Sequence, residues 1–310
     1  MPAARLVAVA DADADARQAC ARECGVEAAY ADHVSLLDHP GLEAVVVCTP
    51  RGTHRAIIED AAAARKHIFC EKPLEEELAA ADRALAAVAR AGVKLQIGFN
   101  RRFDPSFRRA FEMATSGTIG RLLTLHITSR DPLRPEAGFP KTAEDLFLET
   151  TVHDLDSARR FMGEVRTVFA AGSGRAAQTE REPEAVITVL EFVGGGVGTI
   201  DNSRVSVFGY DQRLELYGSA GGVVVENQPQ DHVITLAEQG ATTSPPQTFF
   251  LGRYRDSYLL EMEAFVDCVL NDREPPVSGE EGKAALLLAL AALRSYREGR
   301  PLEVAELTES

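Results

Sequence analysis

The chain has 310 residues, with 33 Lys+Arg against 47 Asp+Glu and a formal charge of −14. An acidic surface repels phosphate backbones and anionic bilayers, and no basic cluster relieves it, so nucleic-acid and membrane partners are not expected. At 45% hydrophobic and 26% charged residues the composition is that of a folded globular chain, and at ~150 residues per domain the length predicts two domains.

In chain order, residues 5–10 (RLVAVA) read as a short strand stopped by Asp11, too short an apolar run for a signal-peptide core. The Ala-rich stretch 12–24 reads as a helix. The continuous apolar run 44–48 (AVVVC) suits a parallel strand buried on both faces. A helix over 54–64, a strand over 67–70 (HIFC), a helix over 75–91 closed by Gly92, and a strand over 94–98 (KLQIG) follow. This alternation is that of a doubly wound parallel sheet.

After about residue 120 the pattern changes to strands of four to eight residues: 122–129, 166–171, 185–192, 198–202, 213–217, 222–226 and 232–237. Gly-rich or polar turns such as 194–196 and 218–222 join most of them, which predicts antiparallel pairing. One helix (148–162) interrupts them, and two (258–270 and 282–298) close the chain. The expected organisation is a dinucleotide-binding α/β domain over 1–98. An α+β domain with a mainly antiparallel open sheet follows over 99–310, and its C-terminal helix can pack back on the first domain. The apolar run 284–293 falls short of the ~20 residues that cross a bilayer.

Five cysteines are scattered without a CxxC pair, so neither a disulfide framework nor a zinc site is indicated. Cys20 and Cys24 could form a two-ligand face, but small residues on an ordinary helix are the simpler reading. A soluble, cytoplasmic protein without metal is expected.

Two clusters carry chemistry. Cys70-Glu71-Lys72-Pro73-Leu74 ends a predicted strand, where open α/β sheets bind ligands. A lysine there can be tuned for acid–base work, although EKP alone also suits a plain turn. In FLETTVHDLD (147–156), Glu149, His153 and Asp156 fall at i, i+4 and i+7 of the predicted helix and share a face. A histidine flanked by carboxylates suits proton transfer near neutral pH, and acids dressing a helix N-terminus explain the run equally well.

The motifs together resemble the Gfo/Idh/MocA oxidoreductases, in particular the branch resembling inositol 2-dehydrogenase. The resemblance runs over nearly the whole chain: VVVCTPRGTH (45–54), HIFCEKPL (67–74), VKLQIGFNRRFDPSF (93–107), VHDLD, VFGYDQRLELYGSAG (207–221), DSYLLEMEAFVDCV and PPVSGEEGKAALLLALAAL. It implies that Lys72 contacts the reacting hydroxyl and that His153 takes the alcohol proton as hydride leaves for nicotinamide. Arg102, Asp156 and Tyr210 would line a polyol pocket. Thr49, Pro50, His54, Glu71 and Asn100 would contact the cofactor alongside Lys72. Asp11 is similar to the acid that bonds the adenosine ribose, which favours NAD over NADP because it repels a 2′-phosphate. The open antiparallel sheet of the second domain can bury against a partner, so a homodimer or homotetramer through that sheet is expected.

Two departures stand out. In the family, Asp11 follows a strand, a GxGxxG loop and a helix, a unit of roughly 25–30 residues, since the acid follows the fingerprint by ~20. Here ten residues precede it. The expectation is therefore a truncated sheet without its central strand, and weak NAD binding by the chain as written. Residues 172–177 (GSGRAA) superficially match the fingerprint but lack a following helical period and read as a polar loop. Secondly, Glu149 stands where the family usually carries Asp, and a carboxylate displaced by an ångström can cost ~100-fold in rate. Two readings stay open: an NAD-dependent dehydrogenase of a cyclic polyol or sugar, with Glu149 assisting His153, or a catalytically silent paralogue that binds a sugar or pairs with an active subunit. No HExxH, GxSxG or Cys/His cluster supports a hydrolase.

Overall fold

The computed structural model describes residues 1–132, 142–173 and 183–308, and they divide into two units. The first comprises Met1–Gly98 with Leu260–Lys283, the second Phe99–Leu259 with Ala284–Ser310.

In the first unit, β1 (Ala8–Ala10), α1 (Ala14–Cys24), β2 (Ala28–Tyr30) and α2 (His33–Leu37) precede β3 (Ala44–Val47), α3 (His54–Ala63), β4 (His67–Glu71), α4 (Leu78–Ala91) and β5 (Leu95–Gly98). Asp13 caps α1 by accepting the N–H groups of Asp15 and Ala16, and Gly25, at φ 65°, closes it. β2 and α2 are too short for any hydrophobic period to reveal, and the sequence reading missed them. The helix expected from residue 75 starts at Leu78, because the buried Glu75 is engaged in the turn before it. Its Oε2 accepts the Arg55 N–H at 3.1 Å and its Oε1 the Glu76 N–H at 3.0 Å. Gly92 ends α4 in the left-handed conformation, as its position in the sequence suggested.

β3, β4 and β5 pair in parallel, with Val45 opposite Ile68 and Ile68 opposite Leu95. The α3 and α4 crossovers make this possible, since parallel neighbours cannot be joined by a hairpin. β5 is buried along its whole length, Gln96 included, whereas β3, expected to be buried on both faces, leaves Val46 exposed on one of them. β1 pairs in parallel with β2, and among the described residues no strand is hydrogen-bonded between β1 and β3.

The second unit starts with α5 (Pro105–Thr115), whose N-cap Asp104 accepts from Ser106 and Phe107. β6 (Leu122–Pro132), α6 (Ala143–Asp145), a π-helical turn (Leu146–Thr151) and α7 (Val152–Met162) follow. Then come β7 (Val165–Ser173), β8 (Ala185–Phe192), β9 (Val197–Ser206), β10 (Asp211–Gly218), β11 (Gly221–Val225), and the hairpin β12 (Ile234–Ala237) with β13 (Gly240–Thr243). α8 (Phe250–Arg253) leads into α9 (Arg255–Leu270), which from Leu260 belongs to the first unit, as does the start of α10 (Gly279–Glu298) up to Lys283; the rest of α10 and β14 (Leu302–Glu303) belong to the second.

The seven-stranded sheet has the order β11-β10-β6-β9-β8-β7-β14. Every pair is antiparallel except β6 with β9, which the intervening α7 and the β7–β8 hairpin separate in sequence. Alternation along β8 and β10 buries Val186, Leu190, Leu214 and Leu216 on one face and leaves Ile187, Val189 and Tyr217 exposed on the other. α7 packs on β6 with Leu155 and Ala158 fully buried. Of the segment 172–177, only Gly172 and Ser173, the end of β7, lie within the described residues.

The helix expected over 148–162 is not one α-helix. Val152 N–H bonds the Phe147 carbonyl, five residues back, and Thr151 Oγ1 lies 3.2 Å from the Leu146 carbonyl and 2.8 Å from Asn202 Oδ1. This side-chain insertion widens the turn. Glu149 sits inside the π-turn, so the shared α-helical face expected for Glu149, His153 and Asp156 is broken at Glu149.

Candidate active site

The first unit carries its expected site residues at the carboxyl ends of its strands. Asp11 follows β1 and is exposed; its N–H bonds the Tyr30 carbonyl at 3.2 Å, and its Oδ1 accepts the Asp13 N–H at 2.8 Å. Thr49 and Pro50 form the exposed turn after β3, held by the Thr53 hydroxyl, which lies 2.7 Å from both Thr49 Oγ1 and the Pro50 carbonyl. His54 belongs to a different category from the one expected of it. The ring is 1% exposed, with Nδ1 2.9 Å from the Pro73 carbonyl and Nε2 2.9 Å from the Thr49 carbonyl. It clamps the turn after β3 to the turn after β4, and so positions Thr49 and Pro50.

Glu71 closes β4 opposite Gly98 of β5. Its Oε2 accepts the Lys72 N–H at 3.3 Å. A Cβ on Gly98 would stand 3.1 Å from Glu71 Oε2 and 3.3 Å from its Cα, so the glycine leaves room for the carboxylate to lie across the strand end. Lys72 follows, half-buried, before a cis peptide to Pro73.

In the second unit, His153 is half-buried on the first turn of α7, edge-on to Phe99 with ring centroids 5.7 Å apart. The next residue, Asp154, is fully buried and paired with the Arg101 guanidinium; Asn202 Nδ2 donates to its other oxygen at 2.8 Å. Arg101 Nη2 also donates to Ser129 Oγ at 3.0 Å, and Ser129 donates to Gln212 Oε1 at 3.1 Å. The Tyr254 hydroxyl reaches the same Gln212 oxygen at 3.3 Å. The structure thus ties α7, β6, β9 and β10 together through Asp154, the residue after His153. Burial pushes the Asp154 carboxyl up, and Arg101 and Asn202 pull it back without cancelling the effect. Burial opposes the charge on Arg101, but the surrounding acids, Asp154 first, outweigh it and hold the guanidinium protonated.

Arg102 and Asp156, both expected in a polyol pocket, are partners of each other. Arg102 Nε lies 2.8 Å from Asp156 Oδ2 and 3.1 Å from Oδ1, and the pair is buried. Tyr210 is buried edge-on to Tyr254 at 6.1 Å, with its phenol pushed well up by burial. Asn100 is buried, and its Oδ1 has no donor among the described residues. Sequence reasoning missed Arg101 and Asp154, although both lie inside quoted motifs; an Arg and an Asp that must be buried together leave no periodic signal.

The first unit carries a carboxylate and a lysine at a strand end and the second a half-buried histidine beside a buried ion pair, groups of the kind an oxidoreductase uses. The chain belongs to the Gfo/Idh/MocA oxidoreductase family. Residues 1–99 match the model of the family's NAD-binding Rossmann fold, and residues 112–304 that of its C-terminal alpha/beta domain. Among curated proteins it is 42% identical to the myo-inositol 2-dehydrogenase of Thermotoga maritima over 97% of this chain and 92% of that protein. It is 38% identical to the inositol 2-dehydrogenase of Rhizobium meliloti over 97% and 92% of the two chains. Among solved structures, the scyllo-inositol dehydrogenase of Lactobacillus casei with bound NAD(H) and scyllo-inositol superposes with a TM-score of 0.90 at 28% identity, covering 97% of this chain and 92% of that one. No described helix is long and apolar enough to cross a membrane, and no described group of three or more His, Cys, Asp or Glu could hold a metal ion.

Proposed function

We propose that this protein is an NAD-dependent dehydrogenase that oxidises a ring hydroxyl of an inositol-like cyclic polyol. The observation that carries the reading is the buried brace behind His153, the Arg101–Asp154 pair with Asn202 and Ser129, which fixes an imidazole at the start of α7 while leaving it half-buried. A base must be held within hydrogen-bond reach of the proton it removes, and such bracing supplies that constraint.

Nicotinamide, when bound, supplies the hydride acceptor. His153 takes the hydroxyl proton as the C–H hydride leaves, so an alcohol becomes a ketone and one proton and one hydride are accounted for. Lys72 supplies a cation that eases loss of the hydroxyl proton, and Glu149 orients a sugar hydroxyl or His153. Arg102 and Asp156 act as a neutral, pre-paired unit that presents hydrogen-bonding edges to polyol hydroxyls, with Tyr210 beside them in the binding set.

The residues fit the cofactor. Asn100 Oδ1 is a buried acceptor without a described donor, which a carboxamide N–H satisfies, and Gly98 leaves Glu71 room at the strand end. Thr49 and Pro50 form the facing turn. Asp11, exposed after β1, suits a ribose diol and selects NAD over NADP. The exposed apolar residues Ile187 and Val189 on β8 and Tyr217 on β10 support self-association through the second-unit sheet, and the acidic surface is compatible with a cytoplasmic enzyme.

The test is NADH formation with myo-inositol, scyllo-inositol and aldoses. Turnover with an inositol supports the reading. Absence of turnover with every inositol and aldose in a protein that binds NADH refutes it and leaves the silent paralogue.

A further inference from the structure

Beneath the carboxyl ends of β4 and β5 lies a second acid that the reaction described above does not use. Glu261, on α9, belongs to the same unit as Glu71 and is 1% exposed. Its Oε2 has no hydrogen-bond partner among the described residues. Gln96 of β5, 0% exposed, donates from Nε2 to the Glu261 main-chain carbonyl at 2.9 Å, while its own Oε1 also lacks a donor. Two buried acceptor oxygens on neighbouring residues are therefore without protons, a costly arrangement if the carboxyl is ionised. The titratable groups acting in this cluster are Glu71, which repels a charge on Glu261, and Cys48 after β3, whose thiol is pushed up to about 11 by desolvation and by the two carboxyls.

We propose that Glu261 carries a proton at neutral pH and acts as the positioning residue for Glu71, keeping this strand end singly charged so that the Glu71 carboxylate stays across Gly98. A neutral carboxylic acid brings a donor to a cluster that holds two unmet acceptors, whereas an ionised one would add a second anion that the Glu71 charge opposes. Burial, and then the Glu71 charge, push the Glu261 carboxyl up to about 9, in keeping with the geometry. The part of the proposal that concerns cofactor affinity rests on the reading of Glu71 as a cofactor contact.

Three measurements on the full chain test it. The infrared C=O stretch of a protonated carboxylic acid, read on glutamate-labelled wild type at pH 7, is expected and disappears in Glu261→Gln; its absence from wild type overturns the proposal whether or not the variant folds. In urea unfolding, the folded state of wild type holds a proton that the unfolded chain releases. Glu261→Gln therefore gains on wild type by about tenfold in folding equilibrium constant per pH unit between ~4.5 and ~9, with no further gain above. A ratio that is flat across that window overturns the proposal. NADH affinity, followed by fluorescence from pH 7 to 10, is expected to weaken for wild type above pH 9 and to stay level for Glu261→Gln; parallel curves overturn the positioning role. If Glu71→Gln leaves NADH affinity unchanged, the cofactor reading of Glu71 fails, while the infrared band and the pH-dependent stability still decide the protonation of Glu261.

Discussion

Replacing Arg101 with Met tests the brace behind His153. Asp154 is 0% exposed and Arg101 3%, so the substitution leaves a carboxylate buried with the neutral donors Asn202 and Ser129 in place of its counter-charge. Breaking a buried ion pair by removing one partner costs ~3–5 kcal/mol. For a unit of this size a loss of 1 kcal/mol lowers the melting temperature by ~2–4 °C, which places the expected drop at roughly 6–20 °C. Asp154→Leu strands the guanidinium and is expected to cost a similar amount. The double variant buries neither charge. It still loses the Ser129 and Asn202 bonds, ~1 kcal/mol each, but recovers at least ~2 kcal/mol relative to the sum of the single changes. Urea unfolding of the four proteins gives the cycle. Additivity within ~0.5 kcal/mol, or a cost below ~1 kcal/mol for either single variant, refutes the claim that the two charges hold each other in place.

Other expectations follow from the same geometry. His153→Asn removes the proposed base and lowers kcat by ~10²–10⁴-fold in NADH-formation assays, with folding by circular dichroism unchanged; a smaller loss reassigns the base. Asp11→Ala removes the charge that opposes a 2′-phosphate, and the ratio of NADP to NAD use, read as kcat/KM, rises by roughly 30-fold, the repulsion of a dianion at about 4 Å in a water-like medium. Gly98→Ala brings a methyl 3.1 Å from Glu71 Oε2, so Glu71 shifts. NADH affinity is expected to fall several-fold by fluorescence titration while the alanine's small volume keeps the sheet intact; unchanged affinity argues that Glu71 does not touch the cofactor.

The local pattern of the chain carried the fold a long way. The apolar run at 44–48 announced a strand, although β3 covers one face only and leaves Val46 exposed, and the β-branched and apolar residues of 94–98 and 185–192 announced strands without showing which faces are covered. Gly92 and Asp13 mark helix ends through their own conformational and hydrogen-bonding chemistry. Lys72 and His153 stood out as titratable groups at a strand end and among acids on a helix, but local chemistry left a plain turn and a dressed helix end open, and the family resemblance supplied their roles.

Other features depend on which distant residues meet. The π-turn at 146–151 arises because Thr151 reaches Asn202 on β9 and Leu146 on its own chain, and no helical period announces that meeting. The parallel pairing of β6 with β9 depends on a crossover that composition does not encode. Arg102 and Asp156 were expected singly in a polyol pocket, and only the structure shows that, 54 residues apart in sequence, they pair with each other in space. His54 likewise reads as a cofactor contact and is a clamp between two main-chain carbonyls. Periodicity, capping and turn chemistry act between near neighbours, so sequence alone determined the elements and the types of group available for catalysis. Desolvation and charge pairing act between residues far apart in sequence, so only the tertiary structure decided which of those groups are spent on each other and which remain for a ligand.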